Sequence, residues 1–551
     1  MVGFPGPGRA TSPGMTRFAA RSATWLATTA LLFGATACAG DDSSDEDAED
    51  GFVVEDGKAD DFLSVKAREF IITGTARVTV EAGQGEARAK KLIMLKHVAT
   101  TWFLNQYLVD KETGPHGDAN ADYGGFAAMV KDGVYTDLNL KQINGTTWEF
   151  KFEQVIAGKK NLVSKLPLNA HGEFSIEVGK PTNEEMEHDK EWYRKAPWDG
   201  WNPATVPASK KETLTLSVRE EKKVTDGWWD YARLFEDGKL TVDAHFGYDY
   251  NPEKAHLTDS KAFYTWLTGR GFRSPVSTWD KYSRTSGALT KTINANGRNV
   301  KVEVRIFYPR PGTSTDPDTD AGGKQLERDM FGSLADRDVI VYSGHSGSLY
   351  GFALSNWDKT DEGDVDDVEL ATAQLARDKY QIVFAEGCNT YMLGNTLMQN
   401  PNKQGKNVDV ITTTSFSVSY SPVQDFIGRL LELDSQGRLR PRTMSQTIED
   451  LDLYSVGEPS PTMYGIHGIN DNPKVHPFAN LENSCKSCSA NAACGGVGNS
   501  CVSVGTSGRR CVAACTDDSG CGTGYKCKPV ASASSATIYG NYCVPETRSC
   551  N

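Results

Sequence analysis

Two residues of this chain have the type and setting that thiol chemistry needs. Cys388 ends the string Ile382-Val383-Phe384-Ala385-Glu386-Gly387-Cys388, and His345 follows the apolar run Val339-Ile340-Val341-Tyr342 in Ser343-Gly344-His345-Ser346-Gly347. The chain has 12 cysteines, and the others have separate explanations. Cys485, Cys488, Cys494, Cys501, Cys511, Cys515, Cys521, Cys527, Cys543 and Cys550 crowd the C-terminal end, and Cys38 closes an N-terminal apolar stretch. A thiolate can attack a carbonyl, and an imidazole beside it can manage the protons of thiol and leaving amine. The oxyanion then needs backbone donors, and the N–H groups of Cys388 and of Ser346 or Gly347 are the candidates. A lone cysteine after a strand is usually core, and a histidine among glycines is usually a turn residue. What points to catalysis is the pair, each member one step past an apolar run. His467, in Gly465-Ile466-His467-Gly468, is a rival base.

For these residues to meet, the two apolar runs must be neighbouring strands of one sheet. From about residue 225 to 480, strand-like runs alternate with helical stretches and glycine turns, which predicts βαβ units and a mostly parallel sheet between two helical layers. Leu240–Ala244 reads as the first strand, Val300–Ile306 as an edge strand because it alternates, and Val408–Ile411 as a later one. Helices are expected near 260–268, 325–331, 368–376 and 423–433. The two runs before His345 and Cys388 are apolar throughout, as central strands covered on both faces are.

This pattern resembles that of the caspase-like (clan CD) cysteine peptidases, which include caspases, metacaspases, legumain, gingipain and clostripain. Their shared signature is an apolar block ending in His-Gly, then one ending in Glu/Gln-Ala-Cys. The likeness covers roughly residues 240–470 and implies Cys388 as nucleophile and His345 as its base. This chain has Ser346 where the family has glycine after the histidine, and Gly387 where it has alanine before the cysteine. The resemblance also puts Glu386, two residues before the nucleophile, beside the pocket for the residue preceding the cut. A carboxylate there suits Arg or Lys, and Asp243 and Asp249 could contribute to the same pocket.

The rest of the chain divides by composition. Residues 1–37 read as a signal peptide, with Met15 available as the initiator and an apolar stretch too short to span a bilayer. Ala35-Thr36-Ala37-Cys38 resembles a bacterial lipobox, which predicts a lipid on Cys38 and a lipoprotein of the outer membrane or cell surface. Residues 38–61 form an acidic tether that carries most of the net charge of −13; such a segment cannot bury enough apolar surface to fold. Residues 62–224 alternate with period two, as in Trp148–Phe152, Phe174–Val178 and Leu214–Val218, and predict a β-rich accessory domain with one helix at 90–107. Residues 481–551 predict a disulfide module of about five bridges. Asp358, Glu362, Asp364, Asp366 and Glu369 approach the spacing of a calcium loop, and the simpler expectation is an acidic loop capping the next helix. No basic patch argues for nucleic acid. The expected partners are a peptide or protein substrate and the envelope membrane. The alternative to an enzyme is a surface binding or adhesion lipoprotein with a degenerate peptidase fold.

Overall fold

The computed structural model describes residues 61–108, 129–130, 136–160, 162–188, 192, 195–198, 201–347, 351–388, 390–403, 407–414, 417, 421–452, 462–531 and 538–550. Cys38 and the segments expected to be a signal peptide and an acidic tether, up to residue 60, lie outside the described residues. None of the described helices is long and apolar enough to cross a membrane.

The central part is an eight-stranded mixed sheet. Its strands run in the order Phe62–Leu63, Tyr464–His467, Val408–Thr413, Gln381–Glu386, Val339–Ser343, Lys239–Phe246, Arg298–Phe307, Leu289–Ala295. The five strands from Val408–Thr413 to Arg298–Phe307 are parallel, and the flanking strands are antiparallel. The Val339–Ser343 strand has Gln381–Glu386 on one side and Lys239–Phe246 on the other, in a register that places Ser343 opposite Glu386 and Phe246. The chain therefore builds outward in both directions from Lys239–Phe246, and the two directions part between Lys239–Phe246 and Val339–Ser343. In open α/β sheets, such a switch point leaves a crevice beyond the carboxyl ends of the strands, where ligands bind.

Apolar residues facing both ways explain why these strands sit in the middle. Val339, Val341, Ile382 and Phe384 face a core shared with Phe263, Leu267, Phe426 and Ile448 of the helices Ala255–Gly269, Pro422–Leu430 and Met444–Asp452. Ile340, Tyr342, Val383 and Ala385 face the opposite core, shared with Leu326, Met330 and Leu334 of the helix Asp320–Asp336. The four-residue spacing of those last three puts one stripe of the helix on the sheet. The layers are thus helix, sheet, helix.

One strand departs from expectation. Arg298–Phe307 is not the edge, because Leu289–Ala295 pairs with its outer side through a hairpin turned at Asn296-Gly297. Both turn residues have positive φ (51° and 86°), the backbone that Asn-Gly adopts most readily in a two-residue hairpin loop.

The accessory region is an antiparallel six-stranded sheet that includes Ala67–Thr79, Thr147–Lys159, Glu173–Gly179 and Lys211–Glu220. The helix Glu86–Leu108 packs Ile93, Phe103 and Leu104 into a core with Phe70, Phe150, Phe152 and Trp198. Phe62–Leu63, expected to open this domain, instead completes the edge of the central sheet against Ile466 and His467. A two-residue strand has no period from which to read it. The C-terminal module consists of two hairpins, Asn499–Ser503 with Arg509–Ala513 and Tyr525–Ala531 with Ile538–Pro545. Five disulfides staple the module: Cys488–Cys501 and Cys494–Cys511 around the first hairpin, Cys515–Cys527 and Cys521–Cys543 around the second, and Cys485–Cys550 across it. Buried half-cystines supply the interior that so short a segment cannot build from side chains alone. Five disulfides fit a protein that leaves the reducing interior of the cell.

Candidate active site

Cys388 is the one free cysteine among the described residues and is half-buried. It lies two residues past the end of Gln381–Glu386, and His345 lies two past Val339–Ser343. These strands are direct parallel neighbours, so the two turns leave the sheet about 4.8 Å apart, the ordinary inter-strand spacing. The turns are also bonded to each other. Gly344 N–H donates to the Glu386 carbonyl at 3.3 Å, and the Ser346 hydroxyl donates to the Cys388 carbonyl.

His345 is held on two sides. Its Nε2 lies 3.1 Å from Asp249 Oδ1, and the Tyr250 ring stacks on it with centroids 4.4 Å apart and planes 20° from parallel. Asp249 comes from the loop after Lys239–Phe246, so the third parallel strand at the switch point contributes to the site. Burial pushes the Asp249 carboxyl up. Hydrogen bonds from the Ala255 and Asn251 backbone N–H groups, His345 and the Asn251 side chain outweigh it and hold the group below the ordinary range. Asp249 is therefore an anion that accepts from Nε2–H, which leaves Nδ1 as the basic nitrogen of His345. The sequence reading put Asp249 in the substrate pocket. Its contacts make it the orienting partner of the histidine.

Burial pushes the Cys388 thiol above its usual value, and the Glu386 charge adds to this, while the Ser417 backbone N–H pulls the other way. The His345 ring bonds to Asp249 Oδ1, and its turn is tied to that of Cys388 through Gly344 and Ser346. The helix Tyr391–Met398 starts three residues after Cys388.

Glu386 is buried at 6% exposure. Ser343 Oγ donates to Oε2 at 2.7 Å, and Ser417 Oγ donates to Oε1. Burial raises its pKa to about 7 against the pull of these two hydroxyls, with Asp259 adding a like charge. No Lys or Arg pairs with it among the described residues. Asp243 sits elsewhere: buried under the helix Asp320–Asp336, it accepts from Arg305 Nε at 2.8 Å and Ser333 Oγ at 2.7 Å. It faces that helix, opposite to Val242 and Ala244, because alternate residues of a strand face opposite layers. Ser346 and Gly347 form a two-residue strand against Gly351–Ala353, with Ser346 opposite Phe352.

The acidic loop does not gather. Asp366 caps the helix Asp367–Thr372 in a reciprocal capping box with Glu369, and Glu362 pairs with Lys324 at 3.3 Å. Asp364 is raised to about 6 and Glu369 to about 7, each first by burial and then by neighbouring acids. Among the described residues, only cysteines bring three ligand atoms within 4.8 Å of one another, and those are disulfide-bonded. His467 is fully buried, 2.9 Å from Thr412 Oγ1 and packed on Phe62 and Tyr391, inside the protein rather than at the crevice.

Sequence reasoning missed Tyr250, Ser417 and the role of Asp249. An aromatic four residues past a strand carries no signal of its own, and Ser417 lies in irregular chain. The protein is a helix–sheet–helix structure with Asp249, His345 and Cys388 just past the carboxyl ends of three adjacent parallel strands. No family model, curated protein or solved structure matches the chain.

Proposed function

We propose that the protein is an exported cysteine endopeptidase of caspase-like design, anchored to the cell envelope through a lipid on Cys38, that cuts after Arg or Lys. The observation that carries this reading is the Asp249–His345 pair on the turn next to that of Cys388, the one free cysteine among the described residues. His345 Nδ1 takes the Cys388 proton as the sulfur attacks the scissile carbonyl. The same proton passes to the departing amine as the C–N bond breaks, leaving a thioester. A water then gives a proton to His345 and its oxygen to the acyl carbon, which frees the acid and restores the thiol. Backbone N–H groups of Cys388 and of Ser346 or Gly347 would hold the oxyanion.

Basic specificity rests on Glu386. A buried carboxyl with two serine donors and, among the described residues, no Lys or Arg paired with it is poised to receive a guanidinium through paired, charge-assisted bonds. Because its folded pKa is about 7, above that of a free glutamic acid, it is neutral on the acid side of 7 and ionised on the alkaline side. Preference for Arg over a neutral residue at the position before the cut should therefore rise as pH increases through about 7. Glu386→Gln should flatten that rise and cost about 1–3 kcal/mol of discrimination. A positional-scanning peptide library read at pH 6 and pH 8 tests this. A preference for acidic or neutral residues, or one indifferent to Glu386→Gln, removes Glu386 from the pocket.

The second reading, a non-enzymatic surface binding protein, is favoured by the buried thiol, whose proton is harder to remove than that of a free cysteine. It predicts that no peptide in the library is cut.

A further inference from the structure

The turn that carries Cys388 is fixed from two directions. On the near side it is held by its own domain. A Cβ on Gly387 would meet Ser346 Oγ at 2.4 Å and the Gly344 carbonyl at 2.8 Å. Thr390 Oγ1 donates to the Ala385 carbonyl at 2.7 Å, and Thr413 N–H donates to Thr390 Oγ1 at 2.9 Å. One residue further on, the side chain of Tyr391 sits where the two domains meet, beside His467 of the central sheet as well as the accessory core. It is fully buried and belongs to the core of the accessory domain, packed edge-on against Phe62 with centroids 5.2 Å apart. Its hydroxyl donates to Glu69 Oε1 at 2.6 Å. Glu69 is itself buried, at 8% exposure, on the accessory strand Ala67–Thr79.

We infer that the accessory β-rich domain positions the nucleophile, with Glu69 and Tyr391 as the positioning residues, so that this domain is a working part of the active site rather than a detachable appendage. A hydrogen bond between two buried groups is directional and costly to leave half-made. It sets where the helix Tyr391–Met398 begins, and only two residues separate Tyr391 from Cys388. Other ties hold the accessory strand to the same domain: Lys66 Nζ donates to the Asp452 carbonyl at 2.8 Å and to that of Thr462 at 3.2 Å. Neither Glu69 nor Tyr391 touches substrate in this account.

The inference rests on Cys388 being the reactive group of the proposed function, and its test separates the two. Full-length Tyr391→Phe, Glu69→Gln and Glu69→Leu would be compared for iodoacetamide alkylation of Cys388 as a function of pH, for kcat and KM on an Arg-containing peptide, and for thermal melting. Tyr391→Phe should lower kcat by between about 10- and 100-fold, leave KM nearly unchanged and shift the pH profile of alkylation. Glu69→Gln keeps an oxygen that accepts the same bond and should stay close to the parent, whereas Glu69→Leu should behave like Tyr391→Phe. A Tyr391→Phe protein that melts normally and matches the parent in both alkylation and kcat overturns the inference. So does a Glu69→Gln variant as impaired as Glu69→Leu. If the parent cuts no peptide but its alkylation profile still moves with Tyr391→Phe, the peptidase reading fails and the positioning role stands.

Discussion

At the scale of single residues, the site depends on one carboxylate. Asp249 stays ionised despite burial because the Ala255 and Asn251 N–H groups are aimed at it, and its charge fixes which nitrogen of His345 carries the proton. Asp249→Asn keeps the shape but can donate where it should accept, so the imidazole is left in the wrong tautomer for half its orientations. In the proposed peptidase this should lower kcat by roughly 10²- to 10⁴-fold with little change in KM. Steady-state kinetics on one peptide checks it, and a small, KM-only effect would mean that Asp249 binds substrate after all. Tyr250 acts differently. It covers one face of the ring, remains 47% exposed, and stands near the exposed Trp357 with centroids 6.1 Å apart. The pair makes an apolar wall beside the base.

At the scale of elements, the two glycine-rich turns behave as one piece. The sequence departs from the caspase-like pattern twice, with Ser346 where glycine is usual and Gly387 where alanine is usual. These departures compensate. The Ser346 hydroxyl occupies the space that an alanine Cβ at 387 would need, 2.4 Å from that position, and from there it donates to the Cys388 carbonyl. Gly387→Ala alone should destabilise by about 1–3 kcal/mol through overpacking and reduce reactivity. Adding Ser346→Gly should recover much of both losses. A double-mutant cycle on melting and activity measures the coupling; additive effects would show that the turns do not touch in this way. Much at this scale was legible in advance. The strands before His345 and Cys388 announce themselves because both their faces are buried, and the helix at Asp320–Asp336 does so through its stripe. The helix Tyr391–Met398 did not, since it is short and holds Gly394, where any Cβ would lie 2.3 Å from His467 Nε2. Packing there demands a poor helix former. Asp249 was visible as a residue but not as a partner, because 96 positions separate it from His345 and only the strand order brings them together.

At the scale of the whole molecule, the parts have different kinds of stability. The central and accessory domains rest on apolar cores, while the C-terminal module rests on its five covalent bridges. A 65-residue separation is closed by Cys485–Cys550, which in the chain-entropy model contributes about 4 kcal/mol. This division makes Cys388 chemically distinct in the native, oxidised protein, where every other described cysteine is blocked. The central claim is that Cys388 is a nucleophile served by His345. Its most direct test is peptide-mapping mass spectrometry of the non-reduced protein after treatment with an arginyl peptide carrying a thiol-reactive ketone. The account predicts a single adduct, on Cys388, that largely disappears in His345→Ala while iodoacetamide still reaches the sulfur. An unmodified Cys388 in the folded protein, or an adduct formed equally fast without His345, would contradict it.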